Sequence, residues 1–330
     1  MSGPRLIGDD GVRAARRWFD ARTFTPDAFP LGPALLEAKA ATTISVVIPA
    51  RNEARTIGAI CRTISAELLG GLVDELIVID CGSSDRTAEI AELAGARVHR
   101  LERILPDVPV LIGKGEALWR SLAVATSDIV CFVDGDIRDF DPRFIERLVA
   151  PLLADETLAF TKGFYRRPLR VDATLVPAAG GRVTELTARP LLNICYPELA
   201  GFLQPLAGEM AARRDALRAV PFFTGYGVDV GLLIDLADSV GLDAMAQVDL
   251  EERVHRNRPL RELRAMATVI ARAILRRAER DGRLSVGGGF DRAILFPGAD
   301  GSLEVTELLQ EERPPMRELL DPSEEDVANG

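Results

Sequence analysis

Ile129-Val130-Cys131-Phe132-Val133-Asp134-Gly135-Asp136 is an apolar run that ends in two carboxylates one residue apart. The run has the length and β-branched content of a buried strand. In open α/β sheets, ligands bind at the carboxyl ends of strands. Taken alone, the stretch has two readings. An Asp-x-Asp turn can simply close a strand, or its hard carboxylate oxygens can take Mg²⁺ or Mn²⁺ beside a diphosphate.

The segments upstream favour the second reading. Ile44-Ser45-Val46-Val47-Ile48 reads as a strand closed by Pro49. The next stretch sets Ile57, Ile60 and Ile64 on one helical face until Gly70-Gly71. Glu75 to Ile79 reads as a second strand, and Cys81-Gly82-Ser83-Ser84-Asp85 supplies a turn and side chains able to cap a helix from Arg86. Arg97 to Leu101 is a weaker strand, and Gly113-Lys114-Gly115 opens a helix to about Ala125. This alternation predicts an α/β fold built on a parallel, Rossmann-type nucleotide-binding sheet. Three strand-end loops then carry acidic groups: Pro49-Ala50-Arg51-Asn52-Glu53, Asp80 to Asp85, and Asp134 to Asp136. Carboxylates there can accept from ribose hydroxyls and base N–H groups. Glu53 and Asp85 also suit simple compensation of a helix N-terminus.

Regularity falls beyond Pro142. We expect a helix to Leu153, a strand from Leu158 to Phe164, a mobile basic loop from Arg166 to Gly181, and a basic helix over 260–280. The last residues, Ser323 to Gly330, read as a solvated tail. Residues 1–40 read as a helical arm packed on the domain or on a second subunit.

Composition sets outer limits. There are 50 acidic residues against 40 Lys and Arg, a formal net charge of −10, which argues against a nucleic-acid or anionic-lipid surface. The four scattered cysteines signal neither a zinc site nor a disulfide framework, and a cytoplasmic setting fits. No stretch reaches the roughly 18 apolar residues a membrane span needs, so integral membrane contact is not expected.

Together, Val46 to Glu53, Asp80 to Asp85 and Asp134-Gly135-Asp136 resemble family-2-type GT-A glycosyltransferases. More specific are Gly113 to Leu122, Phe164 to Leu169, Gly180 to Leu186, Gly225 to Asp229 and His255 to Leu260. In this order they are similar to the retaining synthases that glycosylate 3-phosphoglycerate, over roughly residues 40 to 275. The resemblance implies a GT-A-like sheet with an elaborated acceptor-binding second half. It divides the chain into a helical arm (1–40), a sugar-nucleotide half (41–155), an acceptor half (156–285) and a partly disordered extension (286–330).

It also implies a chemistry: a hexosyl group, glucose or mannose, moves from a UDP- or GDP-linked donor to the 2-hydroxyl of D-3-phosphoglycerate with retention of configuration. Asp136 and His255 would ligate Mg²⁺ or Mn²⁺, and Asp136, Asp229 and Lys114 would be catalytic. Pro49, Ala50, Arg51, Glu53, Cys81, Lys114, Asp134, Gly135, Tyr226 and Asp229 would bind the donor. Gly181, Arg182, Val183, Thr184 and Asn257 would hold the acceptor. A homodimer is implied as well.

On local chemistry alone, Lys114 reads as an ammonium at a helix N-terminus suited to an anion or as an ordinary exposed lysine. Asp229 reads as a sugar-hydroxyl acceptor or as a helix N-cap. His255 alone reads as a structural histidine. This chain departs from the pattern at Asp229, where Glu is common, and at Cys81 and Gly135, where Ser is common. The rivals are a polyprenyl-phosphate sugar transferase and a non-catalytic sugar-nucleotide-binding protein.

Overall fold

A computed structural model describes residues 9–166, 169–171, 174–176, 181–252, 260–286, 293–297, 303–308 and 310–321. In chain order its first elements are α1 (Asp9–Arg22), β1 (Thr23–Phe24), α2 (Pro33–Lys39), β2 (Ile44–Ala50), α3 (Ile57–Glu67), β3 (Glu75–Asp80), α4 (Thr87–Leu93), β4 (Arg97–Arg100), α5 (Lys114–Ser121), β5 (Ile129–Phe132) and α6 (Arg143–Ala154). Then come β6 (Phe160–Arg166), the short pair β7 (Leu169–Val171) and β8 (Thr174–Val176), α7 (Arg189–Cys195), β9 (Met210–Arg213), α8 (Arg214–Arg218), β10 (Phe222–Phe223) and α9 (Val228–Val240). The chain closes with β11 (Met245–Glu252), α10 (Leu260–Arg280), the pair β12 (Ala293–Pro297) and β13 (Leu303–Glu307), β14 (Glu312–Arg313) and α11 (Met316–Leu320).

Among the described residues, eight strands form one sheet in the order β1-β11-β6-β9-β5-β2-β3-β4. All neighbours are parallel except β9, which runs antiparallel to both β5 and β6. The expected parallel α/β core is therefore present as β2 to β5, and the second half extends the same sheet through the inverted β9. Two apolar cores lie on the sheet. Val47, Phe132, Phe160 and Met210 point into one, with residues of α5, α9 and α10. Val46, Cys131 and Ala211 point into the other, with residues of α3 and α6. Successive residues go to opposite faces, as the strand period of two requires.

Several boundaries differ from expectation. Pro49 does not end β2, because Pro49 and Ala50 still pair with Ile79 and Asp80 of β3. The β2–β5 pairing has already stopped at Val47 and Phe132. The Ala50 carbonyl accepts from Cys81 on the β3 side, so Pro49 faces the side that β5 has left, where its missing N–H costs no ladder bond. Residues 1–40 are more than a helical arm. Thr23 and Phe24 pair with Gln247 and Val248 at the sheet edge. Trp18 fixes α1 by donating to the Met245 carbonyl at 2.8 Å and stacking on Phe202 at 4.1 Å. Part of the expected loop after Arg166 pairs as the β7–β8 hairpin. The basic helix is found at α10. Residues 323–330 lie outside the described residues.

Candidate active site

The carboxyl ends of β2, β3 and β5 carry three loops that brace one another. Asn52 adopts a left-handed backbone, φ 59°, which Asn tolerates better than most residues. Its N–H donates to Ser83 Oγ (3.0 Å), and its Oδ1 accepts from the Ser84 N–H (2.8 Å). The N–H of Glu53 donates to Thr87 Oγ1 at 2.8 Å. Asp85 accepts from the amides of Ala54 (3.3 Å) and Thr87 (3.0 Å). The Thr87 hydroxyl also donates to it and, with those amides, holds this exposed carboxyl below its ordinary range. Asp85 is thus a brace between two loops that also accepts from the first N–H of α4, whose N-cap is Arg86. Thr56 Oγ1 donates to the Gly135 carbonyl at 2.7 Å, tying the first loop to the Asp134-Gly135-Asp136 turn. That turn lies close on β2: a Cβ at Gly135 would sit 3.1 Å from the Pro49 carbonyl.

Beside these loops is a cavity of about 290 Å³ lined by Asp80, Ser83, Asp85, Arg86, Arg100 and Glu102 among others. Ala50 is buried, Pro49, Glu53 and Cys81 are half-buried, and Arg51 is exposed. Burial and the neighbouring Asp80 carboxylate push the Cys81 thiol up to about 12, so it stays protonated and is no nucleophile.

At the centre, Lys114 Nζ lies 2.9 Å from Asp134 Oδ1 and 3.3 Å from Asp229 Oδ1. Burial opposes the Lys114 charge, but the two carboxylates outweigh it and raise its pKa. Burial raises Asp229, and Lys114 and Lys162 pull against that rise.

At the helix N-terminus under Lys114, expected from Gly-Lys-Gly to suit an anion, one first-turn amide is already taken. The Glu116 N–H donates to the Thr224 carbonyl at 3.2 Å. A Cβ at Gly113 would meet the Thr224 oxygen at 2.3 Å, and one at Gly115 the Phe223 oxygen at 1.8 Å. Both glycines are therefore required by close backbone approach to residues 223–225. That contact seats α5 against the start of α9 and brings Lys114 to Asp229. Asp229 lies in the first turn of α9, whose N-cap is Gly227, so it is not the cap residue. Tyr226, just before α9, is exposed.

Asp136 is exposed on its turn. Among the described residues, no three His, Cys, Asp or Glu side chains converge as a ready metal site. An exposed carboxylate at a strand end is nonetheless the donor type that Mg²⁺ and Mn²⁺ accept, with water and phosphate filling their other positions. His255 and Asn257 lie outside the described residues. Gly181 (φ 79°) opens the segment expected to hold the acceptor, and its carbonyl accepts from the Glu185 N–H at 3.0 Å. Arg182 is half-buried, while Val183 and Thr184 are buried. Thr184 starts a π-helix over Thr184–Ala188, a geometry frequent at functional sites, packed on α7 and α10.

Three contributors escape a reading along the chain. Lys162 lies buried in β6, Gly208 sits against Lys114 and Asp134, and Thr56 ties two loops. Only Lys162 had a local signal, a lysine two residues after Phe160 on the inward side of a strand.

This fold, with a strand-end Asp-x-Asp beside a buried Lys–Asp cluster, is that of a GT-A glycosyltransferase, and residues 45–202 match the model for Glycosyl transferase family 2. Glucosyl-3-phosphoglycerate synthase of Mycolicibacterium smegmatis is 48% identical over 303 residues, covering 92% of this chain and 98% of the relative. The synthase of that name from Mycobacterium tuberculosis is 55% identical over 243 residues, 73% and 75% of the two chains. Among solved structures, mannosyl-3-phosphoglycerate synthase from Rubrobacter xylanophilus superposes with TM-score 0.84 at 39% identity, covering 96% of this chain and 99% of that one. The Mycobacterium tuberculosis glucosyl synthase, solved with Mn²⁺, UDP-glucose and phosphoglyceric acid, gives 0.78 at 46%, covering 90% and 98%. The chain belongs to the glucosyl-3-phosphoglycerate synthase family and is a hexosyltransferase.

Proposed function

We propose that this chain transfers a glucosyl group from UDP-glucose to the 2-hydroxyl of D-3-phosphoglycerate with retention of the α configuration. The observation that carries this reading is the meeting of Lys114, Asp134 and Asp229 where β5, α5 and α9 converge, in a chain whose similar relatives bear the glucosyl synthase name. UDP is preferred over GDP because the similar solved synthase was captured with UDP-glucose. Glucose is preferred over mannose because the mannosyl relative, though it superposes well, is less identical in sequence, at 39% against 48–55% for the glucosyl synthases.

The braced loops at residues 49–53 and 80–85 hold base and ribose. Asp229, buried in the first turn of α9 just after the exposed Tyr226, accepts hydrogen bonds from hexose hydroxyls, and Lys114 keeps it in place. Gly181, Arg182, Val183 and Thr184, with Asn257, bind the phosphate and carboxylate of the acceptor, for which a forked guanidinium is suited. Asp136 and His255 would hold Mg²⁺ or Mn²⁺, whose chemistry when bound is to offset the charge that develops on the departing diphosphate. Asp229 is engaged by Lys114 and so ill-suited as a covalent nucleophile. This supports a same-face displacement in which a donor phosphate oxygen takes the acceptor proton. We propose a homodimer working in the cytoplasm.

The test is ¹H NMR of fresh product with UDP-glucose and 3-phosphoglycerate. An α-anomeric signal is expected, and a β signal would overturn retention. GDP-mannose turned over faster than UDP-glucose would overturn the donor assignment.

A further inference from the structure

Lys162 lies in β6, 1% exposed, on the same face of the sheet as Phe160. Its ammonium donates to the Ala207 carbonyl at 2.9 Å and stands 5.8 Å from the centre of the Phe160 ring. One carbonyl satisfies one of its three donors, and burying an ammonium costs several kcal/mol unless opposite charge compensates. Packing does not demand it, since the inward neighbour on β6 is Phe160.

The compensation comes from the site. The charges that act on Lys162 are those of Asp229 from α9, Lys114 from α5 and Asp134 from the turn after β5. Asp134 and Asp229 carry two negative charges and Lys114 one positive, so Lys162 adds the second positive charge to a group that would otherwise carry one net negative charge. Its hydrogen bond also holds the peptide just before Gly208. A Cβ at Gly208 would lie 2.3 Å from Lys114 Nζ and 2.6 Å from an Asp134 oxygen, so this peptide is the floor beneath the ion pair.

We propose that Lys162 is a positioning residue of the active site. From inside the sheet its positive charge keeps the buried Asp229 charged, so that Asp229 can receive the hexose, while its hydrogen bond holds the floor under Lys114. The proposal rests on the reading of Asp229 as the hexose acceptor. Burial pushes the Lys162 pKa down to about 8 and that of Asp229 up, so losing Lys162 leaves Asp229 more easily protonated. The acidic limb of the activity profile, where activity falls as Asp229 takes a proton, should then move to higher pH.

The test compares Lys162→Met, which keeps the length without the charge, and Lys162→Gln, which keeps a donor for Ala207 but no charge. UDP-glucose and UDP binding are measured by calorimetry with Mg²⁺, and kcat and its pH profile by nucleotide release. Losing a hexose hydrogen bond to the charged Asp229 predicts that UDP-glucose affinity and kcat both fall by roughly tenfold or more, while UDP, which lacks the hexose, binds as before. Both variants should show this, with the acidic limb raised. Equal weakening of UDP and UDP-glucose would overturn the proposal, as would unchanged behaviour, or a Gln variant that behaves as wild type. If Met does not fold, the Gln variant decides alone. If wild-type protein turns nothing over, the proposed reaction fails, and the contrast between UDP-glucose and UDP still reads Lys162.

Discussion

Two buried clusters of charge lie along helix α5, and they are built differently. In one, Glu116 receives Arg120 Nε at 2.7 Å and Arg313 through Nε and Nη2, both at 2.7 Å. Arg120 also donates to the carbonyls of Ile104, Leu105, Val108 and Pro109, and Arg313 lies over the Trp119 ring. Planar guanidiniums fix these directions. They lock the 104–113 loop and the C-terminal β14 onto α5. Two residues before Glu116, the Lys114 ammonium joins Asp134 and Asp229, with the buried Lys162 ammonium acting on them electrostatically; ammonium groups are point charges without a fixed fork, and Asp134 remains 28% exposed. The first cluster is closed and holds the helix, whereas the second reaches solvent and is held by it. The burial of a charge therefore does not by itself mark a functional site; the cluster proposed to hold the donor differs from the other in its opening to solvent through Asp134 and in its ammonium partners.

The comparison breaks most visibly at Glu116. Glu116→Ala leaves two buried guanidiniums without a counter-charge and should cost on the order of 3–5 kcal/mol in stability. Urea unfolding should show it, and wild-type stability would remove the structural role of the first cluster. In the second region, Asp136→Ala should lower kcat on the order of 10²-fold or more while the unfolding midpoint stays put. A matching loss of stability would place Asp136 in the scaffold instead. Arg182→Lys keeps the charge but loses the fork, so acceptor KM should rise severalfold while UDP-glucose affinity holds. An equal loss on both substrates would remove Arg182 from the acceptor site. The smallest effect is expected for Cys81→Ser. The thiol is protonated and half-buried, and donor KM should change less than about threefold if it only lines the site; loss of turnover would give Cys81 a chemical role.

What could be read from the chain follows the range of each interaction. Ile129 to Asp136 announces itself because strand, turn and carboxylates are contiguous. β1 does not, since Thr23 and Phe24 become strand only by pairing with Gln247 and Val248. The inversion of β9 is equally silent: Met210 to Arg213 gains its direction by inserting between β5 and β6. Gly113 and Gly115 were legible as special positions but not for their cause, a backbone more than a hundred residues away in sequence. Lys114 was legible as a candidate, yet its meeting with Asp134 and Asp229 comes only once the sheet is assembled.

The central claim is that this chain moves a hexose onto 3-phosphoglycerate. The most direct measurement is nucleoside diphosphate release from a panel of UDP- and GDP-hexoses, with Mg²⁺ or Mn²⁺, in the presence and absence of 3-phosphoglycerate. Release from UDP-glucose that requires both the metal and 3-phosphoglycerate is the predicted result; release that is undiminished without 3-phosphoglycerate, or no release from any donor, would contradict it.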